Sequence, residues 1–260
     1  MPKNHQSTVV LGYHAIRVNA AKAEPDGQPA FYSVDTQQFD RQMEYLSREK
    51  FITCLPEDFL GDPRRDHSKS VMITFDDGHE SDFLLALPSL MSRGFRAVFF
   101  ICIDFIGRAG YLTWEQIGAL AAAGMSIQSH GMLHHDLTRL PEGQTSQELR
   151  AARLCLERNV KKPVRYISIP GGFVSRVVYR AAEGAGYDAI FNSRPALARP
   201  GKILPRIMVR RNTSQCQFEG LVQRRRDALF AIDLLHRAKS TLKAVLGVER
   251  YDSVKQRLWT

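Results

Sequence analysis

The stretch that decides how the chain is interpreted is residues 71–78, Val71-Met72-Ile73-Thr74-Phe75-Asp76-Asp77-Gly78. Its apolar start is typical of a buried strand, and Gly78 ends that strand. Two adjacent carboxylates therefore stand where a core strand leaves a barrel or a sheet. Neighbouring strand residues point to opposite faces, so Asp76 and Asp77 need not share one role. Two like charges at this place are costly unless a cation or a proton pairs with them.

A second strand-like run, from Met125 to Ser129, leads into His130 and His134. Taken alone, the D-D-G sequence could be a simple turn at a strand end, and H-x-x-x-H is a weak signal. Taken together, one carboxylate and two imidazoles match a catalytic site for a divalent metal that keeps positions open for water and substrate. The other aspartate is then free to act as a base.

The two motifs in this order, T-F-D-D-G and S-H-x-x-x-H-x-D-L, resemble the first two motifs of the polysaccharide deacetylase family, the NodB-homology carbohydrate esterases. The likeness extends from Leu11-Gly12-Tyr13-His14 to Leu204-Pro205-Arg206. It implies a distorted (β/α)7 barrel over residues 1–214. It also implies a hydrolase that removes an N-acyl group, acetyl above all, from an amino sugar in a polysaccharide, an oligosaccharide or a glycan precursor.

The resemblance also implies roles for individual residues. Asp77, His130 and His134 would bind one divalent ion, zinc in the first place, with cobalt, nickel or manganese as alternatives. Asp76 would be the general base. Backbone N–H groups at Gly171 and Gly172 would stabilise the oxyanion, although a tight turn with positive φ also explains both glycines. His14, at the end of the first strand, is a candidate catalytic residue, with capping or packing as the alternative.

The chain departs from the family pattern at its later motifs. The third motif usually resembles R-P-P-Y-G, but Ser168 and Gly171 stand at its Arg and Tyr positions. Arg206 is therefore the better candidate for steadying Asp76. The family's late Leu-x-x-His motif has no clear match, because Leu234-Leu235-His236 falls in a C-terminal helix. The proton donor is left to His14, His79 or His135. In the second motif Gly131 replaces the usual Ser or Thr.

Regular alternation of short apolar strands and helices predicts a parallel α/β barrel or sheet with its chemistry at the carboxyl ends of the strands. Capping signals predict helices starting near Asp35, at Thr113 with Gln116, and at Thr145 with Glu148. A further helix from Ser81 to Ser92 contains Pro88. Residues 215–260 are predicted to form a basic helical extension, with one long helix from Phe218 to Leu246. That helix either packs on the barrel or a second subunit, or contacts a membrane surface.

At 260 residues and 44% hydrophobic, the chain can bury one large core or one core with an appendage. Its four cysteines have no C-x-x-C spacing and are interpreted as reduced. No apolar run approaches the roughly 18 residues that span a bilayer, and Met1 to Thr8 has no secretory signal pattern. We therefore expect a cytoplasmic protein, with peripheral contact at the inner membrane face as a further possibility.

Positive charge is concentrated in residues 161–211, where eleven Lys or Arg face only Glu183 and Asp188, a net of +9 (11 − 2). This is either a solvated basic surface or an attraction to anions such as phosphate-bearing lipid carriers, nucleotide sugars or an acidic membrane face. A specific nucleic-acid partner is less favoured, because no stacking aromatics are interleaved with the basic residues.

Two other functions compete with the polysaccharide hydrolase. One is a deformylase or deacetylase of a lipid-linked or nucleotide-linked amino sugar at the cytoplasmic membrane face. The other is a carbohydrate-binding pseudoenzyme, which is less favoured because Asp76, Asp77, His130 and His134 are all present.

Overall fold

The computed structural model of the protein describes residues 6–18, 30–62 and 64–246. Its strands are β1 Val9–Tyr13, β2 Ile16–Arg17, β3 Val34–Asp35, β4 Ile52–Thr53, β5 Ser70–Phe75, β6 Val98–Ile101, β7 Ser126–Ser129, β8 Tyr166–Ser168, β9 Ala189–Phe191, β10 Ile203–Leu204 and β11 Ile207–Met208. Its α-helices are α1 Thr36–Arg48, α2 Pro56–Gly61, α3 Leu87–Met91, α4 Trp114–Ala122, α5 Glu142–Val160, α6 Arg176–Gly184, α7 Gln215–Val222 and α8 Arg226–Leu246. Strands and helices alternate as predicted.

A ring of parallel strands lies at the centre of the fold. The strands follow one another in the order β9, β8, β7, β6, β5 and β1, with β10 beside β9 and β11 beside β1. Only Pro205 and Arg206 separate β10 from β11 in the sequence, so one broken strand joins the two ends of the sheet. When β10 and β11 are counted as one strand, the ring consists of seven strands. This is the predicted distorted (β/α)7 barrel.

Strand alternation decides which side chains enter the barrel. Val10, Met72 and Phe100 belong to a small interior cluster, whereas Leu11 and Ile73 belong to the large cluster that also contains the buried faces of the surrounding helices. Alternate residues of a strand share a face. Thr74 and Asp76 therefore follow Met72 into the interior, at the carboxyl end of the barrel.

Several helices begin where the sequence predicts. The Asp35 side chain accepts a hydrogen bond of 2.9 Å from the Gln37 N–H at the start of α1, and α1 buries Phe39, Met43 and Leu46. Thr113 and Gln116 form the predicted capping box of α4.

Two helix predictions are wrong. Helix α5 begins at Glu142, a turn before the predicted start, and Thr145 lies inside the helix with its hydroxyl 3.1 Å from the Pro141 carbonyl oxygen. The single helix predicted from Phe218 to Leu246 is two helices, because Arg224 adopts a left-handed φ of 57° just after α7.

The helix predicted from Ser81 to Ser92 is present in altered form. Residues Asp82–Ala86 are π-helical and lead directly into α3. Pro88 cannot donate a backbone hydrogen bond, and in a regular α-helix its ring would crowd the carbonyl group four residues earlier. The wider π turn relieves this conflict.

The C-terminal extension is described only in part. Helix α7 packs on α1 through Phe218 and Tyr45, whose ring centroids lie 6.4 Å apart. Residues 247–260, and the side chains at Lys239, Ser240 and 242–246, lie outside the described part. Within the described ranges, the helices lack the combination of length and apolarity that a bilayer crossing requires.

Phe75 provides a test of the packing beneath the site. Its fully buried ring stacks on Phe99 at 4.8 Å and on Tyr13 at 5.4 Å. We expect Phe75→Ala to lower the free energy of unfolding by about 3–5 kcal/mol, because the cavity cannot close fully. Phe230→Ala, at a ring that is 68% exposed, should change it by no more than about 0.5 kcal/mol. Urea unfolding measures both, and equal changes would contradict the proposed packing.

Candidate active site

Asp77, His130 and His134 converge at the carboxyl end of the barrel. Nε2 of His130 and Nε2 of His134 each lie 3.2 Å from Oδ1 of Asp77. One ligand atom from each residue lies within 4.8 Å of the others. Asp77 and His130 are buried, whereas the His134 side chain is 34% exposed and faces the opening. The ends of β5 and β7 thus bring together the three residues that the sequence singles out as ligands.

The backbone bends sharply to present these ligands. Asp77 has φ 74° and His134 has φ 56°, both in the left-handed region that non-glycine residues rarely adopt. Gly78 continues the turn, and its carbonyl oxygen accepts a hydrogen bond of 2.9 Å from Leu112 N–H. Such strain persists only where surrounding contacts enforce it, and it is typical of functional sites.

Glu148 on α5 holds the loop that carries His134. Its buried Oε1 accepts hydrogen bonds from the N–H groups of Met132 at 3.0 Å and Leu133 at 3.2 Å. A Cβ at Gly131, which has φ 84°, would lie 3.1 Å from the same oxygen, so glycine suits this position. This role differs from the helix-capping role predicted for Glu148 from the spacing of Thr145 and Glu148.

The donor set fits a divalent ion. Nδ1 of His130 lies 2.8 Å from the Ser168 carbonyl oxygen, a bond that requires the proton on Nδ1 and leaves Nε2 free to ligate. Burial acts to raise the pKa of Asp77, but its close contacts with the imidazoles of His130, His134 and His79 outweigh burial and hold that pKa well below its usual value. An ionised carboxylate and two imidazoles are ligands that zinc and similar ions take.

Asp76 is bound by Arg206 in a buried bidentate pair. Nη1 and Nη2 of Arg206 lie 2.7 Å from Oδ1 and Oδ2 of Asp76. The guanidinium also donates to the hydroxyls of Thr74 and Ser168 and to the carbonyl oxygen of Asn192. Burial acts to raise the pKa of Asp76, but the Arg206 charge, with His130 nearby, lowers it to about 2. The pairing predicted from the sequence is present, and Ser168 supports Arg206 from the place where the family has its own arginine.

The three candidate proton donors differ in position. His14 is half-buried, its ring lies 4.9 Å from Tyr32, and its buried Nδ1 has no hydrogen-bond partner within the described ranges. Burial lowers the pKa of His14 to about 4, against the opposing charges of Asp77 and Asp76. His79 is buried, with Nε2 3.6 Å from Oδ2 of Asp77. His135 is exposed on the surface.

The two glycines proposed for the oxyanion form a turn. Gly171 has φ 69° and Gly172 has φ 76°, which is the conformation that the alternative interpretation requires. The N–H of Gly172 donates to the Ile169 carbonyl oxygen at 2.8 Å. That donor is therefore engaged in the turn and is not free to bind an oxyanion in this structure. His236, from the doubtful match to the late Leu-x-x-His motif, lies on α8, outside the loops at the strand ends.

The sequence model described as polysaccharide deacetylase matches residues 64–190. Over these residues the chain matches the polysaccharide deacetylase family. The matched part of the polysaccharide deacetylase domain contains Asp76, Asp77, His130 and His134, whereas His14 and Arg206 lie outside it. The barrel closes around both groups of residues.

Curated relatives show a similar likeness in sequence, and a solved structure shares the fold. YxkH of Bacillus subtilis, which bears the name of a polysaccharide deacetylase, is 29% identical over 168 residues, 64% of this chain and 60% of its own length. The poly-beta-1,6-N-acetyl-D-glucosamine N-deacetylase of Staphylococcus epidermidis is 26% identical over 62% of this chain and 60% of its own length. The chain thus spans about three fifths of these curated relatives. The fold matches the Streptococcus pyogenes deacetylase PplD with a TM-score of 0.75 at 24% identity, over 84% of this chain and 97% of that one.

The buried pair predicts a large effect on stability. Arg206→Met leaves the Asp76 carboxylate buried without its partner, and we expect it to lower the free energy of unfolding by about 3–5 kcal/mol. Adding Asp76→Asn should recover part of that loss. Arg165→Met removes a surface pair of 3.9 Å to Asp188 and should cost less than about 1 kcal/mol. Chemical denaturation measures all three, and a mild effect at Arg206 would contradict the pairing.

Proposed function

We propose that this protein is a metal-dependent hydrolase that removes the N-acetyl group from an amino sugar in a polysaccharide, an oligosaccharide or a glycan precursor. The proposal depends on two groups of residues that lie together at one end of the barrel, three candidate metal ligands and a carboxylate paired with an arginine. Asp77 lies between His130 and His134, and Asp76 beside it is ionised and held by Arg206. The relative from Staphylococcus epidermidis, named for the deacetylation of poly-beta-1,6-N-acetyl-D-glucosamine, supports this substrate class.

Asp77, His130 and His134 are the proposed holders of the ion. When bound, a divalent ion supplies Lewis-acid chemistry, polarising an acyl carbonyl group and lowering the pKa of water. Nitrogen and oxygen ligands of this kind suit zinc, and cobalt, nickel or manganese remain alternatives. The partly exposed edge of His134 faces the side from which a substrate would enter.

Asp76 is the proposed general base. It takes a proton from the attacking water, whose oxygen forms a bond to the acyl carbon. The carbon–nitrogen bond then breaks, the nitrogen takes up a proton, and acetate and the amine leave. Arg206 contacts both oxygens of Asp76, so it keeps the base ionised and fixes its direction. Each carboxylate oxygen has a second lone pair that can accept the proton.

His14 is the proposed proton donor to the leaving nitrogen. Its buried Nδ1 has no partner among the described residues, and a catalytic role is one explanation for a buried polar atom of this kind. The low pKa of His14 keeps its ring neutral before substrate binds. It can therefore give a proton to the amine only after it takes up the proton that Asp76 removes from the water.

A second candidate function is the deacylation of a lipid-linked or nucleotide-linked amino sugar at a membrane face. The observation that favours it is an exposed apolar patch on α8, where Phe230, Leu234 and Leu235 are 68%, 55% and 59% exposed. Arg226 is exposed at the start of the same helix. Contact of this helix with an anionic membrane, and a cytoplasmic location, stay proposals.

Loss of one ligand should strongly weaken metal binding. We expect His134→Ala to weaken zinc affinity by more than the ~10- to 100-fold that loss of an outer hydrogen-bond partner costs. The control is His135→Ala, because His135 is the exposed neighbour. Metal content after dialysis and acetate release from chitotetraose measure both variants. A His134→Ala protein that keeps its metal would contradict the assignment.

The base can be tested separately from the metal. Asp76→Asn is expected to lower kcat by about 10²- to 10⁴-fold, because the amide cannot accept the proton. Metal content should stay that of the wild type, since the three proposed ligands Asp77, His130 and His134 are unchanged. Asp104→Asn, at a carboxylate paired with Arg108 on the surface, is the matched control. The base assignment fails if Asp76→Asn alters only KM.

A further inference from the structure

Four arginines lie along one side of the barrel opening. Arg176, Arg194, Arg210 and Arg211 follow the carboxyl ends of β8, β9 and β11, and we call them the arginine rim. Residues 169–176, 192–195 and 209–214, which carry them, contain no Asp or Glu. The other side differs, because Arg108 and Arg139 there pair with Asp104 and Asp136.

The positive charge of the arginine rim is not neutralised by carboxylates in the described part of the chain. Arg176, Arg194 and Arg211 are exposed, and within the described ranges no carboxylate oxygen lies within 4.0 Å of their guanidinium groups. Nε of Arg210 is buried and has no hydrogen-bond partner in the described part of the chain. Guanidinium groups with unused donors suit carboxylates and phosphates, which they bind in a forked geometry.

Two paths of contacting residues connect the arginine rim with the candidate catalytic residues. The Arg210 guanidinium lies 4.9 Å from the ring centroid of Phe31 and 6.0 Å from that of Tyr32. Tyr32 in turn contacts His14, with 4.9 Å between ring centroids. These rings offer an apolar wall on which a sugar can rest while an anionic group meets Arg210.

The second path runs through Asn192. Its carbonyl oxygen accepts a hydrogen bond of 3.2 Å from Arg206, and its side-chain oxygen accepts one of 3.1 Å from Arg194 N–H. The turn before Arg176 lies against the same loop, since a Cβ on Gly172 would come within 2.8 Å of the Ser193 nitrogen. Arg194 and Arg176 therefore flank the site.

We propose that the arginine rim binds a carboxylate or phosphate next to the acetylated sugar, so that the substrate is an anionic N-acetylated glycan. This inference rests on the proposed function and names its substrate class. The charge of the product points the same way. Deacetylation creates an ammonium group. On a neutral glycan the four arginines would repel this group, whereas an adjacent anion on the substrate would offset the repulsion.

Three probes separate the possible sources of charge. An N-acetylheparosan tetrasaccharide supplies carboxylates, UDP-N-acetylglucosamine supplies a diphosphate, and chitotetraose is neutral. We expect kcat/KM for at least one anionic probe to exceed that for chitotetraose by about 10-fold or more. Raising the ionic strength from roughly 0.01 M to roughly 0.15 M shortens the Debye length from about 30 Å to about 8 Å, and it should reduce only the anionic advantage.

Variants locate the effect on the rim. Arg194→Gln with Arg211→Gln should raise KM for the preferred anionic probe by about 10- to 100-fold and leave chitotetraose within about twofold. The matched control is Arg199→Gln with Lys202→Gln, which removes two exposed charges from the opposite end of the barrel, where Ala198 pairs with Thr8 before β1. Equal losses on neutral and anionic probes, or a preference for chitotetraose, would overturn the inference.

Binding distinguishes failure of the rim from failure of the chemistry. Calorimetry of the metal-loaded protein with the two anionic probes measures affinity even if no acetate is released from any probe. Binding that the rim variant weakens and the control keeps would support the rim and remove the proposed hydrolysis. Hydrolysis of chitotetraose with no rim-dependent binding would keep the function and remove the rim.

Discussion

The buried pair of Arg206 and Asp76 is the interaction on which the rest of the structure depends. A charge without exposure is tolerated only where its partners are complete. Arg206 is fully buried, and its donors meet Asp76, Thr74, Ser168 and Asn192. These partners come from β5, β8 and the end of β9, while Arg206 lies in the break between β10 and β11. One side chain thus joins the barrel closure to the candidate base.

The two aspartates at the end of β5 have different environments because the backbone turns between them. Asp76 keeps the alternation of the strand and points into the barrel, where a permanent cation compensates it. Asp77 takes a left-handed φ and reaches the two imidazoles instead. Adjacent residues of the same type therefore suit the two separate roles proposed for them, proton acceptor and metal ligand.

Local pattern and strand order account for what the sequence could predict. Apolar runs that end in Asp76-Asp77 and in His130 identify the strands, and parallel strands collect their carboxyl ends at one edge. The pairing of Arg206 with Asp76 could be predicted because the expected arginine position holds Ser168. The role of Glu148 could not be, since its partners are backbone N–H groups of a distant loop and leave no trace in residue spacing. The break at Arg224 was missed because neither Gly nor Pro marks it.

The ring is closed by the broken strand β10–β11, and this has a consequence for biosynthesis. A ribosome delivers β5, β6 and β7 long before residue 206 emerges, so a nascent chain already carries both aspartates and both imidazoles. Without the Arg206 guanidinium, Asp76 has no cation to offset the cost of its burial. The Asp76 carboxyl group then stays either protonated or hydrated. The pairing of Asp76 with Arg206 can therefore form only at a late step, when β11 docks beside β1.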